Sequence, residues 1–308
     1  MDTIRVMLPI IVMLVMGVII QRTGFISEDG MNGIKIYLTK IALPVTIFHA
    51  MATADLGGQT LYIIITMFVF LAIAMVIGFL LRPLIEKPYK KYLPFVICLF
   101  EGGMLSYPLY ENLCGADKLV NVVIVDIAGC IFGFGIFYGI LSLVEKGTKF
   151  SFKTMGKVAI MSPTFDAVVL GLLCNLTGVM GALLDNPVSE LYIVIKDIAV
   201  APLTSLILLY VGYSIKIEKG LIKVCLKSIA LRMIVMTILG TAVLFILRDT
   251  MKDIYMLTAF LIMFVTSPSF SMAGFVDDKD AAGYFAMSTS LYVIITVIGY
   301  GIITVTLF

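Results

Sequence analysis

Tryptophan is absent from this 308-residue sequence, and there is one histidine, His49. Without tryptophan, any interfacial aromatic belt must rest on the 14 tyrosines and 20 phenylalanines. One histidine and no Cys-x-x-Cys pair leave no conventional zinc site, so no metal or cofactor is expected. Charge is scarce: Asp, Glu, Lys and Arg make up 14% of the chain, against roughly 25% in soluble domains. Long disorder is excluded, because it needs high charge and low hydrophobicity. The five cysteines, Cys98, Cys114, Cys130, Cys174 and Cys225, are odd in number. Three lie deep in apolar runs and read as small core residues rather than a disulfide framework. No HExxH, GxSxG or ATP-binding motif is present, which argues against an intramembrane enzyme and a nucleotide-driven pump. The net charge of +2 lies in short loops, so nothing marks a nucleic-acid surface.

Apolar residues are in excess. They form 61% of the chain, against about 45–50% in soluble domains, and the mean hydropathy is +1.10. A water-soluble fold cannot hide that much apolar surface. The runs are continuously apolar, not alternating, which excludes a membrane β-barrel. The expectation is an all-α polytopic membrane protein embedded in a lipid bilayer.

A spanning helix needs about 20 apolar residues. Ten runs qualify: 4–21, 31–51, 60–81, 92–113, 119–143, 155–178, 187–213, 224–247, 254–274 and 283–307. The first is too long, and lacks the small-x-small site, to read as a cleaved signal peptide. Lysine and arginine concentrate in alternate loops: Arg82, Lys87, Lys90 and Lys91; Lys146, Lys149, Lys153 and Lys157; Lys216, Lys219, Lys223 and Lys227. The positive-inside rule puts these loops in the cytoplasm and both termini outside. Short loops and no long central loop suit a bacterial inner membrane.

The prolines repeat. Pro9 precedes Gly17 by eight residues, and Pro163 precedes Gly171 by eight. Pro44 lies in Ala-Leu-Pro-Val-Thr and Pro202 in Ala-Pro-Leu-Thr. Pro108 follows Pro44 by 64 residues, and Pro268 follows Pro202 by 66. The pattern divides the chain into two five-span units, 1–150 and 151–308. Five spans leave the chain on the opposite side, so the second unit is inverted. Inverted repeats around a midplane site are characteristic of secondary transporters.

Spans 4 and 9 carry helix breakers at corresponding places. Span 4 reads Glu101-Gly102-Gly103-Met104-Leu105-Ser106-Tyr107-Pro108. Span 9 reads Thr266-Ser267-Pro268-Ser269-Phe270-Ser271. Such breaks free backbone groups that must be satisfied internally. A matched pair points to two broken helices that meet, with half-helix ends that bind ions.

These residues carry a resemblance. Leu-Pro-Ile-Ile-Val-Met-Leu-Val-Met-Gly with Arg-Thr-Gly-Phe-Ile-Ser, then Lys-Ile-Ala-Leu-Pro-Val-Thr-Ile-Phe, the glycine-rich segment ending at Pro108, and Ala-Pro-Leu-Thr-Ser-Leu-Ile-Leu-Leu-Tyr-Val-Gly-Tyr-Ser-Ile resemble the auxin efflux carrier family. That family includes plant PIN-type auxin carriers and bacterial malonate and malate carriers. The ordered set covers nearly the whole chain. The resemblance implies ten spans in two inverted repeats, crossing broken helices 4 and 9, and the architecture of bile-acid symporters and sodium–proton antiporters. It implies transport of a small organic anion beside the crossover, and often a homodimer. This sequence departs from the family's Asn-Thr-Gly-x-x-Gly-x-Pro in span 4: Glu101 stands where an asparagine would donate to a substrate carboxylate, Gly102 follows it, and Ser106 precedes Tyr107. Span 9 departs as well, with its serine-rich Ser267-Pro268-Ser269 and Ser271.

An ionisable group mid-membrane costs at least about 2.5–3.5 kcal/mol on insertion scales. Seven lie within the spans: Lys40, Glu101, Asp126, Asp166, Lys196, Asp197 and Arg232. Glu101 leads, because burial disfavours its charged form and makes it a candidate proton carrier; a sodium ion or a substrate ammonium is the other partner considered. Asp126 and Lys40 are the further coupling candidates. Lys40 lies one helical turn before Pro44 on the same face. Asp166 reads as a cap for backbone freed at Pro163. Lys196 and Asp197 are adjacent, point about 100° apart on a helix, and read as unpaired with each other. Arg232 reads as a snorkelling side chain, and His49 as an interfacial polar residue. Gly129, Gly133, Gly135 and Gly139 read as a close-packing stripe.

The sequence therefore predicts a secondary transporter of a small organic acid, with a site built from Glu101, Gly102, Gly103, Ser106, Tyr107, Pro108, Ser267, Pro268, Ser269, Ser271, Pro44 and Pro202. A cation-linked carrier is the alternative within transport. A channel or ligand-sensing receptor is the alternative outside it.

Overall fold

Every regular element in the computed structural model, which describes residues 2–146 and 162–308, is a helix. That follows from the apolar runs. In hydrocarbon each backbone N–H and C=O must find its partner inside its own segment, and only the helix provides this without a closed barrel. Among the described residues, seven helices are long and apolar enough to cross a membrane: α1 (Ile4–Thr23), α2 (Glu28–Thr53), α3 (Gly58–Leu80), α6 (Val120–Glu145), α8 (Ser189–Tyr213), α9 (Lys219–Ile246) and α11 (Lys279–Leu307). Between them, α4 (Tyr89–Cys98) and α5 (Gly102–Cys114) form one span bent by 56°. Two shorter apolar helices are α7 (Pro163–Leu176) and α10 (Ile254–Val265). A short 3₁₀ helix, Phe270–Phe275, follows α10. The chain is a polytopic helical membrane protein.

The unit boundary at 150/151, the lysines Lys149, Lys153 and Lys157, and the first part of the expected sixth span lie outside the described residues. Nine of the ten expected runs coincide with helices or helix pairs, and α7 occupies the described part of the other.

Two close helix pairs frame the molecule. In the first, α1 packs on the second half of α8; in the second, α7 packs on the second half of α2. Each contact is made possible by glycine. A Cβ at Gly17 would overlap the Leu209 carbonyl oxygen, and one at Gly171 would lie 2.6 Å from Met51 Cβ and 2.8 Å from Phe48 O. Small residues let backbones approach this closely, which is the main attractive device between helices in lipid. Each pair is also closed by an amide four residues further on. Gln21 Nε2 donates to Tyr213 O at 2.6 Å. Asn175 Nδ2 reaches Met51 O at 3.0 Å, Ala52 O at 3.1 Å and Ala54 O at 2.7 Å. These carbonyls stand at helix C-termini, which have no intrahelical donor.

Three glycines of the stripe on α6, Gly129, Gly133 and Gly135, make no close approach to the backbone of another helix. Gly129 lies against Asp126, Gly133 has ordinary contacts with Tyr138 and Leu99, and Gly135 has open space beside it. Among the described residues three helices contain an expanded π turn, at Leu38–Ala42 in α2, at Gly102–Ser106 at the start of α5 and at Gly133–Phe137 in α6. One end of the molecule is tied by Glu145 on α6. It accepts from the Tyr92 hydroxyl at the start of the bent span, and from Asp278 N at 2.9 Å.

Candidate functional site

The bent span breaks where its helix formers run out. Cys98 ends α4, Leu99 is extended, and Glu101-Gly102-Gly103 follow. Glycine disfavours the helix by about 1 kcal/mol per residue relative to alanine. On the other side α10 ends at Val265, Thr266 is extended, and Pro268 supplies no N–H. The two extended segments lie against each other. Glu101 N donates to Ser267 O at 2.9 Å. Ser106 Oγ donates to Glu101 O at 2.9 Å and lies 3.2 Å from Thr266 Oγ1, which in turn donates to Met263 O at 2.7 Å.

Four helix ends therefore converge, and two charged side chains answer them by sign. Arg232 on α9 is wholly buried, at 0% exposure. Its Nη1 donates to Val96 O at 2.8 Å, Ile97 O at 2.7 Å and Leu99 O at 2.9 Å, and its Nη2 to Thr266 O at 3.2 Å. It thus covers the negative C-termini of both α4 and α10. The rings of Phe100 and Tyr292 flank the guanidinium at 5.4 and 5.1 Å. Glu101 answers the two positive N-termini. Its Oε1 accepts from Met104 N at 3.2 Å and its Oε2 from Phe270 N at 2.7 Å. Snorkelling, the role the sequence suggested for Arg232, is overturned. The backbone carbonyls at the breaks hold it inside, through four hydrogen bonds.

Asp126 lies beside this crossing, 9% exposed. Its Oδ2 accepts from Tyr107 Oη at 2.9 Å. A Cβ at Gly102 would overlap its carboxylate, and one at Gly129 would stand 2.9 Å from Oδ1. Glycine at both places leaves the room that the carboxylate fills. Among the described residues, no Lys, Arg or His nitrogen forms an ion pair with Glu101 or Asp126.

A cavity of about 520 Å³ opens on the crossing. Glu101, Gly102, Gly103, Asp126, Ser269, Ser271 and Lys40 all line it. Lys35, Thr39, Lys40 and Leu43 line it from the first half of α2. Tyr138 stacks on Phe275 at a 4.0 Å centroid separation, and its hydroxyl is 3.4 Å from Ser269 Oγ. Other residues in the sequence-derived set lie elsewhere. Ser106, Ser267 and Pro268 are buried in the crossing itself. Tyr107 reaches the cavity only through Asp126, and Pro108 is buried in the second residue of the helical segment after the π turn. The span 4 break therefore lies at Leu99–Glu101, beside Gly102 and Gly103 where the sequence places it. Pro44 opens the second half of α2 and lines a separate apolar groove with Pro163, Asp166, Tyr192 and Lys196. Pro202 interrupts α8 between Val200 and Leu203.

Further expectations are corrected. Lys196 Nζ and Asp197 Oδ1 form an ion pair at 2.8 Å, because the four-carbon lysine stem sweeps across the 100° between them. The N-terminus of α7 is capped by Ser162, whose Oγ accepts from Phe165 N at 3.4 Å, not by Asp166. His49 Nδ1 is 3.0 Å from Tyr192 Oη. It lines a second cavity, of about 450 Å³, with Thr46, Thr53, Glu111 and Lys196. This cavity lies at the opposite end of α2 from Lys35.

No family model matches the chain. Similarity is found to an uncharacterized transporter of Methanothermobacter thermautotrophicus (strain Delta H), at 23% identity over 197 residues. The match covers 60% of this chain and 62% of that protein.

Proposed function

We propose that the protein is a secondary transporter that moves a small organic acid by alternating access about the crossing of its two broken spans. The observation that carries this reading is the Glu101 N to Ser267 O contact at 2.9 Å, with Arg232 and Glu101 covering the helix ends of opposite sign. An ordinary proline kink calls for no such partner. The similarity to a transporter supports the same class. The architecture proposed is that of the auxin efflux carriers: ten spans in two inverted five-span repeats. Its support is the matching of the two helix pairs. Pro9, Gly17 and Gln21 on α1 stand at the same spacing as Pro163, Gly171 and Asn175 on α7. Each triplet meets the other repeat's proline-broken helix through the same glycine and amide devices.

The two cavities at opposite ends of α2 fit one solute path with a closed middle. Loop lysines assign the larger cavity to the cytoplasmic side, so this is an inward-facing arrangement. Glu101 is the proposed proton carrier. Its carboxylate is held by two backbone N–H groups, and protonation removes one acceptor and loosens one helix end. A second reading, cation-linked carriage, is favoured by the absence of a cationic partner on Asp126 among the described residues.

Uptake into liposomes tests the proposal, with labelled malonate, malate and a neutral amino acid, with and without an inward proton gradient. Gradient-driven uptake that Glu101→Gln uncouples is the expected result. Gradient-independent uptake that survives Glu101→Gln would make Glu101 a purely structural cap.

A further inference from the structure

The larger cavity is lined by side chains of both charge signs. Glu101 and Asp126 lie at the crossing, whereas Lys35 and Lys40 lie along α2 on the exposed side. The four formal charges cancel. They are not equivalent in what they leave free. Both Glu101 oxygens are taken by backbone N–H groups. Asp126 has one oxygen taken by Tyr107, while among the described residues its Oδ1 accepts no hydrogen bond. That oxygen belongs to a side chain more than nine-tenths buried, in a space kept open by glycine at 102 and 129. Lys40 has no carboxylate partner among the described residues.

We propose that this cavity receives a small zwitterionic amino acid, its ammonium on Asp126 Oδ1 and its carboxylate on Lys40. The proposal rests on the transporter reading above and narrows its substrate class. A dicarboxylate of similar size would bring its second carboxylate against Glu101 and Asp126, where like charges repel in a weakly screened site. A monocarboxylate would leave Asp126 Oδ1 facing an apolar group, and burial of an unpaired charge is costly. An amino acid satisfies both signs and adds no net charge to the membrane interior. Other parts of the wall, including Leu43, Leu99, Phe100, Phe134 and Phe275, are apolar. They suit a small aliphatic side chain.

The test uses the full chain in liposomes and a matched solute set: alanine, propionate without the amino group, and ethylamine without the carboxylate, with leucine and its deaminated acid as a larger pair. Uptake is measured for wild type, Asp126→Asn and Lys40→Gln. Size-exclusion profiles and melting temperatures establish that each variant is folded. Amino-acid uptake at least about tenfold faster than that of either truncated analogue is expected, the usual worth of one charge-assisted hydrogen bond. A similar loss is expected in each variant. Propionate moving as fast as alanine, or Asp126→Asn leaving amino-acid uptake within about twofold (less than any charge-assisted bond is worth), overturns the zwitterion site. The transporter reading would survive that result. No movement of any solute in either size class overturns both.

Discussion

Replacing Arg232 with methionine removes four hydrogen bonds at once, to Val96 O, Ile97 O, Leu99 O and Thr266 O, from a side chain with no exposure. Bonds from a charged donor are worth about 1.5–3 kcal/mol net each, which for four independent bonds gives about 6–12 kcal/mol. They are not independent. They share one guanidinium, whose own desolvation is relieved on substitution. Methionine also fills much of the volume. Substitution leaves buried carbonyls without a donor, at about 1–3 kcal/mol for each, and set against the relief of the guanidinium's desolvation this gives about 3–5 kcal/mol. At about 2 °C per kcal/mol for a chain of this length, the melting temperature should fall by about 6–10 °C. Arg232→Lys should lie between, because an ammonium keeps the charge but cannot fork to both helix ends. Thermal unfolding of purified protein in one detergent, followed by fluorescence-detected size exclusion, reads all three. A methionine variant within about 2 °C of wild type, under 1 kcal/mol by the same conversion, would refute the claim that Arg232 holds the crossing.

Glu101→Ala should destabilise more than Glu101→Gln, by about 1 kcal/mol in thermal unfolding. Glutamine keeps one acceptor for Met104 N or Phe270 N, and alanine keeps neither. Gly102→Ala should yield little folded protein on size exclusion, because its Cβ would occupy the Asp126 carboxylate; Gly135→Ala, with open space beside it, should be neutral. Asn175→Ala should cost more than Gln21→Ala in melting temperature. Three carbonyls lose their donor in the first and one in the second. Lys252→Ala should leave the melting temperature unchanged, since its pair with Asp249 is 77% and 76% exposed at 2.7 Å.

Much of the helical layout is legible because lipid allows so few solutions. A run of about 20 apolar residues can hardly be anything but a helix. The break at Glu101-Gly102-Gly103 and the one at Ser267-Pro268 are legible for the same reason: glycine and proline withdraw local helical support. The partners of the breaks are not legible. Arg232 bonds carbonyls more than 130 residues away in sequence, and backbone carbonyls have no residue type to signal them. One cue existed: an arginine in a membrane run needs acceptors, and two broken helices supply unsatisfied ones. Pro108 is no part of the break, because proline at the start of a helical segment costs nothing. The neighbours Lys196 and Asp197 misled because Cβ directions do not limit a long side chain. The role of Gly129 as a cradle for Asp126, not as a packing surface, depends on which way α6 faces, and helix spacing alone does not set that.

Counterflow is the measurement that tests the central claim most directly. Liposomes carrying the protein are preloaded with an unlabelled mixture of small carboxylates and amino acids and diluted into labelled solute. A carrier alternating about the crossing should accumulate label transiently above its equilibrium level, and Arg232→Met should abolish the overshoot. Label that only equilibrates, at a rate indifferent to what is loaded inside, would contradict alternating access and describe an open pore.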